Sequence, residues 1–214
     1  MRFFWVILLS LFLTVSVSLA QVWPDSTLVR CNTAQEIGYL SSEEKAVVFY
    51  INLVRVNPRL FAQTYLKNYL DTAPIKKTEY LQSLMKELQN LKSLSPLEPQ
   101  FDLFDVAKKH AIEMGNQGKT GHVSLSGESY ESRALELSKR YEKAMENCQY
   151  GYSDGLSIVI DLLIDEEIPD LSHRKSLLNS EVKYIGAAIR KHKVYRFNCV
   201  IEMGSRLKSE SRNK

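Results

Sequence analysis

Apolar residues recur three and four positions apart along most of the chain, the spacing that predicts amphipathic helices. The first clear helix follows Ser41, because Ser41 and Glu44 have the spacing of a capping box. Asn57 and Pro58 predict the cap and the first residue of a second helix, which continues to about Tyr69. The same pattern predicts further helices over residues 79–94, 100–117, 128–140 and 154–166.

Three segments rich in apolar and β-branched residues predict strands, at residues 143–149, 182–190 and 194–203. The last two flank a short polar turn, Lys191-His192-Lys193, and therefore predict an antiparallel hairpin. Helices before, between and around these strands indicate an α+β fold with a small antiparallel sheet. A short helix beginning at His173, with Ser172 as its cap, is also expected.

The first 20 residues predict a cleaved secretory signal peptide. Arg2 precedes an apolar run, and Ser18 and Ala20 supply the small residues that a signal peptidase reads. An uncleaved membrane anchor is the alternative. The predicted organisation is a signal peptide at 1–20, an N-terminal extension at 21–42, one domain at 43–204, and a basic flexible tail at 205–214. The export signal predicts a secreted or periplasmic protein.

The charge balance excludes one class of partner. Lysine and arginine number 28 against 25 acidic residues, for a formal net charge of +3, so no electrostatic footprint for nucleic acid is present. No apolar run after the signal peptide is long enough for a transmembrane helix. The expected partner is instead an extracellular or envelope ligand, and no sequence motif indicates an organic cofactor.

An exported chain with three cysteines predicts one disulfide and one free thiol. Cys148 and Cys199 are the preferred pair, because both fall in predicted strands that could be antiparallel neighbours. Three free thiols remain the alternative. A nucleophilic Cys148 assisted by a histidine is disfavoured, because no catalytic cysteine signature surrounds it.

Chemistry-bearing residues concentrate in one window of the chain. In order, these motifs are Gly121-His122, Glu146-Asn147, an apolar helix followed by Glu166, and Ser172-His173-Arg174. Histidine and glutamate side chains in a cleft are typical of catalytic and metal sites. Of the other two histidines, His110 is expected at the surface or in the packing of a helix, and His192 is expected in an exposed turn. Arg133 and Arg174 are expected to pair with carboxylates or to line the cleft.

The ordered motifs resemble the CAP superfamily of cysteine-rich secretory, antigen 5 and pathogenesis-related proteins, in its bacterial branch. The resemblance begins at Asn52-Leu53-Val54-Arg55, includes the window above, and ends at Ile185-Gly186-Ala187-Ala188, so it covers roughly residues 43–204. It implies a single-domain α-β-α sandwich. It also implies a central cleft where His122, Glu146, Glu166 and His173 converge, with His122 and His173 as ligands for zinc or another divalent metal.

Two functions follow from this resemblance. The first is an extracellular binding or effector module for a lipid, sterol, glycan or peptide. The second is a zinc-dependent hydrolase of peptide or cell-envelope substrates, with Glu146 or Glu166 as the general base.

Overall fold

The computed structural model describes residues 23–73 and 76–208 as an α-β-α sandwich, which confirms the predicted fold class. The helices are α1 (Asp25–Cys31), α2 (Ser42–Val56), α3 (Pro58–Phe61), α4 (Lys67–Thr72), α5 (Glu79–Asn90), α6 (Phe101–Gln117), α7 (Tyr130–Leu137), α8 (Gly155–Ile164) and α9 (Ser172–Leu177). A π-helical turn, Ala62–Leu66, joins α3 to α4. The strands are β1 (Glu98–Pro99), β2 (Ala144–Tyr150), β3 (Tyr184–His192) and β4 (Arg196–Gly204).

The helix boundaries follow local signals in the sequence. The capping box of α2 is formed, with Glu44 N donating to Ser41 Oγ and Ser41 N donating to the Glu44 carboxylate. The side chain of Asn57 caps α3, where Pro58 is the first residue, and Asp154 caps α8. These predicted caps are confirmed because each satisfies backbone N–H groups that have no partner within the helix.

The sheet has the strand order β1-β3-β4-β2, with β2 at one edge. The predicted hairpin is present as β3 and β4, and β2 pairs with β4 in antiparallel register. Side chains on a strand alternate between the two faces. Glu146 and Cys148 of β2 therefore face α6 and α7, whereas Asn147 and Gln149 face α8 and α9.

The two helical layers pack differently on this sheet. On one face α6 lies directly against β3, since a Cβ atom at Gly186 would be 2.1 Å from the backbone nitrogen of Phe104. On the other face α2 and α8 bury apolar side chains such as Ile51 and Val159 against the sheet. The close approach at Gly186 brings the polar residues of α6 near the sheet.

The turn of the hairpin differs from the prediction. His192 ends β3 and is buried, and its Nδ1 accepts hydrogen bonds from the backbone nitrogens of Val194 and Tyr195. Its Nε2 donates to the carbonyl of Lys119, in the loop after α6. The expectation of an exposed His192 is wrong, because this side chain joins the turn to the neighbouring loop.

The segment before α2 packs on the rest of the fold, with Trp23 and Cys31 buried in the same apolar core as α2 and α8. The predicted signal peptide at 1–20, and residues 209–214 of the predicted tail, lie outside the described residues. Within 23–73 and 76–208, no helix is both long and apolar enough to cross a bilayer.

The predicted disulfide between Cys148 and Cys199 is wrong. All three cysteines are free. In the β2–β4 register, Cys148 lies opposite Val200, and Cys199 lies opposite Gln149. The two thiols therefore point to opposite faces of the sheet, where no disulfide can join them.

We expect three thiols per chain to react with Ellman's reagent when the protein is unfolded in guanidinium without reductant. The folded protein should react slowly, because burial raises the pKa of Cys31 to about 11 and also raises the pKa of Cys199. A count of one thiol per unfolded chain would show that two cysteines had paired after all.

Candidate functional site

The structure brings His122 and Glu146 together. Gly118 adopts a left-handed conformation that ends α6, and the loop after it carries His122 to the edge of β2. His122 Nδ1 lies 2.8 Å from Glu146 Oε1, so the imidazole N–H donates to the carboxylate. The Glu146 side chain is 1% exposed and that of His122 is 46% exposed. A buried carboxylate thus orients an imidazole that solvent or a ligand can reach.

Arg133, on α7, holds this pair in place. Its Nη2 donates to both oxygens of Glu146, at 2.9 and 2.8 Å. Its Nη1 donates to the carbonyl of His122 at 2.6 Å and to Ser124 Oγ at 3.2 Å. The expectation that Arg133 pairs with a carboxylate is confirmed. The same guanidinium fixes the Glu146 side chain and the loop at His122 and Ser124.

Glu202 is a member of the site that the sequence analysis missed. It lies opposite Glu146 in the β2–β4 register and is fully buried, and the Tyr130 hydroxyl donates to its Oε2 at 3.1 Å. Burial, followed by the charge of Glu146, raises the pKa of Glu202 well above its usual value. The available signal was one acidic residue inside the apolar run from Val200 to Met203.

The pKa values of the two carboxyl groups shift in opposite directions. Burial acts to raise the pKa of Glu146, but the hydrogen bonds from His122, Glu202 and Arg133 hold it below its usual value. Glu146 is therefore the ionised partner, and Glu202 is the protonated partner that donates to it.

His110 also contacts the site, and it is packed beneath α6, one of the two positions expected for it. Its side chain is completely buried, because α6 lies close to the sheet at this level. Its Nε2 donates to the carbonyl of Gly121 at 2.9 Å and lies 3.9 Å from Glu146 Oε1. The ring thus fixes the loop residue that precedes His122.

Cys148 lies beside this pair, with its Sγ 3.7 Å from His122 Nδ1. Burial, and then the charge of Glu146, raise the pKa of its thiol well above the usual value. A thiol in such surroundings stays protonated, which agrees with the expectation against a nucleophilic cysteine.

His173 forms a second cluster, on the other side of β2. Its Nδ1 donates to Asp165 Oδ1 at 2.7 Å, and its backbone carbonyl accepts from the Asn147 side chain. Within the described parts of the chain, no hydrogen bond joins His173 to His122 or to Glu146. Adjacent residues of one strand, Glu146 and Asn147, thus hold the two histidines from opposite faces of the sheet.

The predicted place of Glu166 in the cleft is wrong. α8 ends at Ile164 and Asp165 adopts a left-handed conformation, so the helical step that would align Glu166 with Leu163 is broken. Glu166 is exposed and accepts a hydrogen bond from the hydroxyl of Thr78 at 2.7 Å. The carboxylate that holds His173 is its neighbour, Asp165.

Asp165 also replaces Ser172 as the predicted cap of the short helix. α9 begins at Ser172, and the backbone nitrogens of His173 and Arg174 donate to Asp165 Oδ2. The buried guanidinium of Arg174 in turn donates to the carbonyls of Leu163 and Ile164, which end α8. Arg174 therefore joins two helix ends. Its Nη1 also lies 3.4 Å from Glu87 Oε2, so the expectation that Arg174 pairs with a carboxylate is confirmed.

We expect Asp165→Asn to lower the free energy of unfolding by about 1–3 kcal/mol, since it removes a charged acceptor of three hydrogen bonds. Asparagine tolerates the left-handed backbone, so the change isolates the carboxylate. Urea denaturation at pH 7 measures the effect. Glu166→Gln, the neighbouring exposed control, should change stability by less than about 0.5 kcal/mol. Equal losses in both variants would contradict the assignment of the cap to Asp165.

A zinc ion shared by His122 and His173 stays a prediction of the family resemblance. Both histidines use Nδ1 on a carboxylate, which leaves Nε2 of each ring as the atom that would bind a metal. In the described chain, three ligand atoms that all lie within 4.8 Å of one another belong to His110, Glu146 and Cys148. There Nε2 of His110 is donating to a carbonyl, and Arg133 already neutralises Glu146. A divalent cation would have to displace both interactions.

Comparison with known proteins identifies one curated relative and several solved structures. The "Uncharacterized membrane protein YlbC" of Bacillus subtilis (strain 168) is 32% identical over 96 residues. That match covers 45% of this chain and 26% of the relative, so the chain spans about a quarter of the relative's length.

The similar structures are more distant. An outer surface protein from Borrelia burgdorferi is 23% identical, with a TM-score of 0.43, covering 62% of this chain and 96% of that one. An extracellular protein containing a SCP domain from Bacillus anthracis str. Ames is 20% identical, with a TM-score of 0.41, covering 63% and 45%. Venom allergen-like protein 4 of Schistosoma mansoni is 14% identical, with a TM-score of 0.45, covering 81% and 99%. TM-scores this low carry no inference about activity.

The family comparison is decisive for classification. The sequence model of the family described as "CAP: Cysteine-rich secretory protein family" matches residues 50–203. The matched region includes the predicted motifs at His122, Glu146 and His173, together with the sheet and the helices on both of its faces. The chain therefore belongs to the CAP, or cysteine-rich secretory protein, family.

Proposed function

We propose that this chain is an exported binding or effector module of the CAP family, and that its ligand occupies the cavity between α6 and α7. One observation carries the proposal. The cavity has a volume of about 760 Å³, and His110, Ser124 and Arg133 form part of its wall. Those three residues contact the His122–Glu146 pair or the loop that carries it. A cavity of this size suits a small ligand or a segment of a larger one.

The lining favours a peptide or a glycan over a lipid or sterol. Five carboxylates and three cationic side chains line the cavity, together with Ser124, Ser126 and Ser132. Val106 and Leu137 are the aliphatic residues of the lining. Burying an apolar ligand against so many charged groups would remove water from them without replacing its hydrogen bonds.

His122 does not line the cavity, but its ring is more exposed than the side chain of Glu146, and its carbonyl is bonded to Arg133 of the cavity wall. Its Nδ1 is held by Glu146, which leaves Nε2 as the ring nitrogen available to a ligand. Glu146, Glu202 and Arg133 form the buried frame behind it. In this proposal the acidic pair positions the binding surface and does not react.

Calorimetric titration with three probes tests the binding module: pentalysine for peptides, chitotetraose for glycans, and cholesterol-containing vesicles for sterols. We expect a polar probe to bind, and to bind at least tenfold more weakly after Ser132→Trp, which places an indole in the cavity from an exposed position. Ser132→Ala is the matched control and should bind normally. Equal binding by the tryptophan variant would reject the cavity as the ligand site.

A hydrolase is the second candidate, because an imidazole oriented by a buried carboxylate is the arrangement of a general base. It predicts that a probe is cleaved, which mass spectrometry of the titration mixture would reveal. The zinc-dependent form also predicts that zinc raises the melting temperature by several degrees, and that His122→Ala and His173→Ala each abolish the shift. Absence of that shift would reject the zinc-dependent form.

A further inference from the structure

Two carboxylates of the cavity wall have no lysine or arginine partner. Asp105 pairs with Lys109, and Asp102 pairs with Arg140. Glu113 and Glu128 form no ion pair with a lysine or arginine of the described chain; the Glu113 Oε1 atom accepts from the backbone nitrogen of Leu125. The wall thus retains negative charge that the protein itself does not neutralise.

A second, independent feature lies behind Glu113. His110 lines the cavity and its side chain is fully buried, yet its Nδ1 has no hydrogen-bond partner among the described residues. Since Nε2 donates to the carbonyl of Gly121, a neutral ring presents a lone pair at Nδ1. That atom lies 3.7 Å from Glu113 Oε2, so in the neutral ring two acceptors face each other. Buried acceptors without a donor are uncommon in folded proteins.

We propose that the cavity between α6 and α7 recognises a primary ammonium group through the carboxylates of Glu113 and Glu128, with the unpaired His110 Nδ1 beside Glu113. An ammonium carries three donors and no acceptor, which matches a wall that offers carboxylate oxygens and an imidazole lone pair. Its positive charge offsets the excess of carboxylates in the lining. The inference rests on the proposed function, because it names the chemistry of the ligand for the same cavity.

Two sources supply this chemistry, the lysine side chain of a peptide and a free polyamine. Both place an ammonium at the end of a flexible aliphatic chain, and the aliphatic part of either can pack on Val106 and Leu137 at the cavity wall. Pentalysine and spermidine therefore serve as the two probes, and fully acetylated pentalysine, which lacks the charge, is their control.

The test measures binding of these probes by calorimetry to the purified protein and to Glu113→Gln and Glu128→Gln variants. Glutamine at position 113 keeps an oxygen for the Leu125 nitrogen, so the fold should be retained, and circular dichroism verifies this. We expect each substitution to weaken binding about tenfold, and acetylated pentalysine not to bind. Glu36→Gln, which removes the same charge from an exposed position outside the cavity, should leave binding unchanged.

Binding of both probes, or of one alone, supports the ammonium site and assigns its source. A third measurement follows the His110 ring by ¹⁵N NMR. We expect the neutral ring with hydrogen on Nε2 in the free protein at pH 7, and a shift of Nδ1 when the probe binds. An imidazolium in the free protein would overturn the proposal, because Glu113 would already have its cation.

The remaining outcomes separate this inference from the proposed function. If chitotetraose binds in a manner sensitive to Ser132→Trp while neither cationic probe binds, the ammonium site is rejected and the binding module stands. If no probe shows binding that depends on Ser132, both are rejected. Equal weakening by Glu36→Gln would show that the probes respond to overall charge, which also overturns the site.

Discussion

Replacing Arg133 with methionine is expected to lower the free energy of unfolding by about 3–5 kcal/mol at pH 7. Arg133 supplies the cation that donates to both oxygens of the buried Glu146 carboxylate. Without it, an ionised Glu146 would remain buried with the hydrogen bonds from His122 and Glu202 but with no guanidinium to offset its charge. Urea denaturation followed by circular dichroism measures the loss.

The pH dependence of this loss distinguishes charge from packing. Because the pKa of Glu146 is lowered in the folded protein, its contribution to stability is present above its usual value of 4.5 and is lost as the pH falls through the folded pKa. The loss of unfolding free energy in Arg133→Met should therefore become smaller as the pH falls through the folded pKa of Glu146. Arg140→Met, which breaks a half-exposed ion pair with Asp102, is the control and should cost less than about 1 kcal/mol. A defect that is independent of pH would contradict the electrostatic explanation.

Replacing Glu202 with glutamine is expected to stabilise the protein at alkaline pH, by about 1–3 kcal/mol at pH 8. The pKa of Glu202 is raised in the folded state, first by burial and then by the charge of Glu146. The contribution of Glu202 to stability is therefore fully present below pH 4.5, the pKa of this group in the unfolded chain. That contribution is lost as the pH rises toward the pKa of Glu202 in the folded protein. A glutamine amide can still donate to Glu146 and accept from Tyr130, but it does not ionise.

Unfolding free energies measured from pH 4 to pH 9 test this expectation. Wild type and Glu202→Gln should agree near pH 4 and diverge as the pH rises. Glu181→Gln serves as the control, because this exposed residue pairs with Lys143 at the surface. Parallel curves for wild type and Glu202→Gln would show that the two buried carboxyl groups do not share a proton.

Both predictions concern residues that form the frame behind His122. The frame is buried and closely linked, so changes in it alter stability before they alter the binding surface. The proposed ligand contacts at Glu113 and Glu128 are more exposed. Substitutions at Glu113 and Glu128 should therefore change affinity with little effect on folding, which allows function and stability to be measured separately.

The sequence by itself determined the elements whose signals are local. The capping box at Ser41 and Glu44, the caps Asn57 and Asp154, and the hairpin of β3 and β4 all depend on residues a few positions apart. Such signals act within one helical turn or one strand pair, so they can be read without the tertiary structure. The ordered motifs also indicated the family and the association of His122 with Glu146.

Only the tertiary structure decided which other residues join that pair and which do not. Glu202 and Arg133 meet Glu146 through the strand register and the packing of α7, and no local pattern encodes either contact. Alternation along β2 separates Cys148 from Cys199 and places His173 on the far face, while the left-handed Asp165 removes Glu166 from the cleft. A one-residue shift along a strand reverses the face of a side chain, and sequence spacing alone does not fix that register.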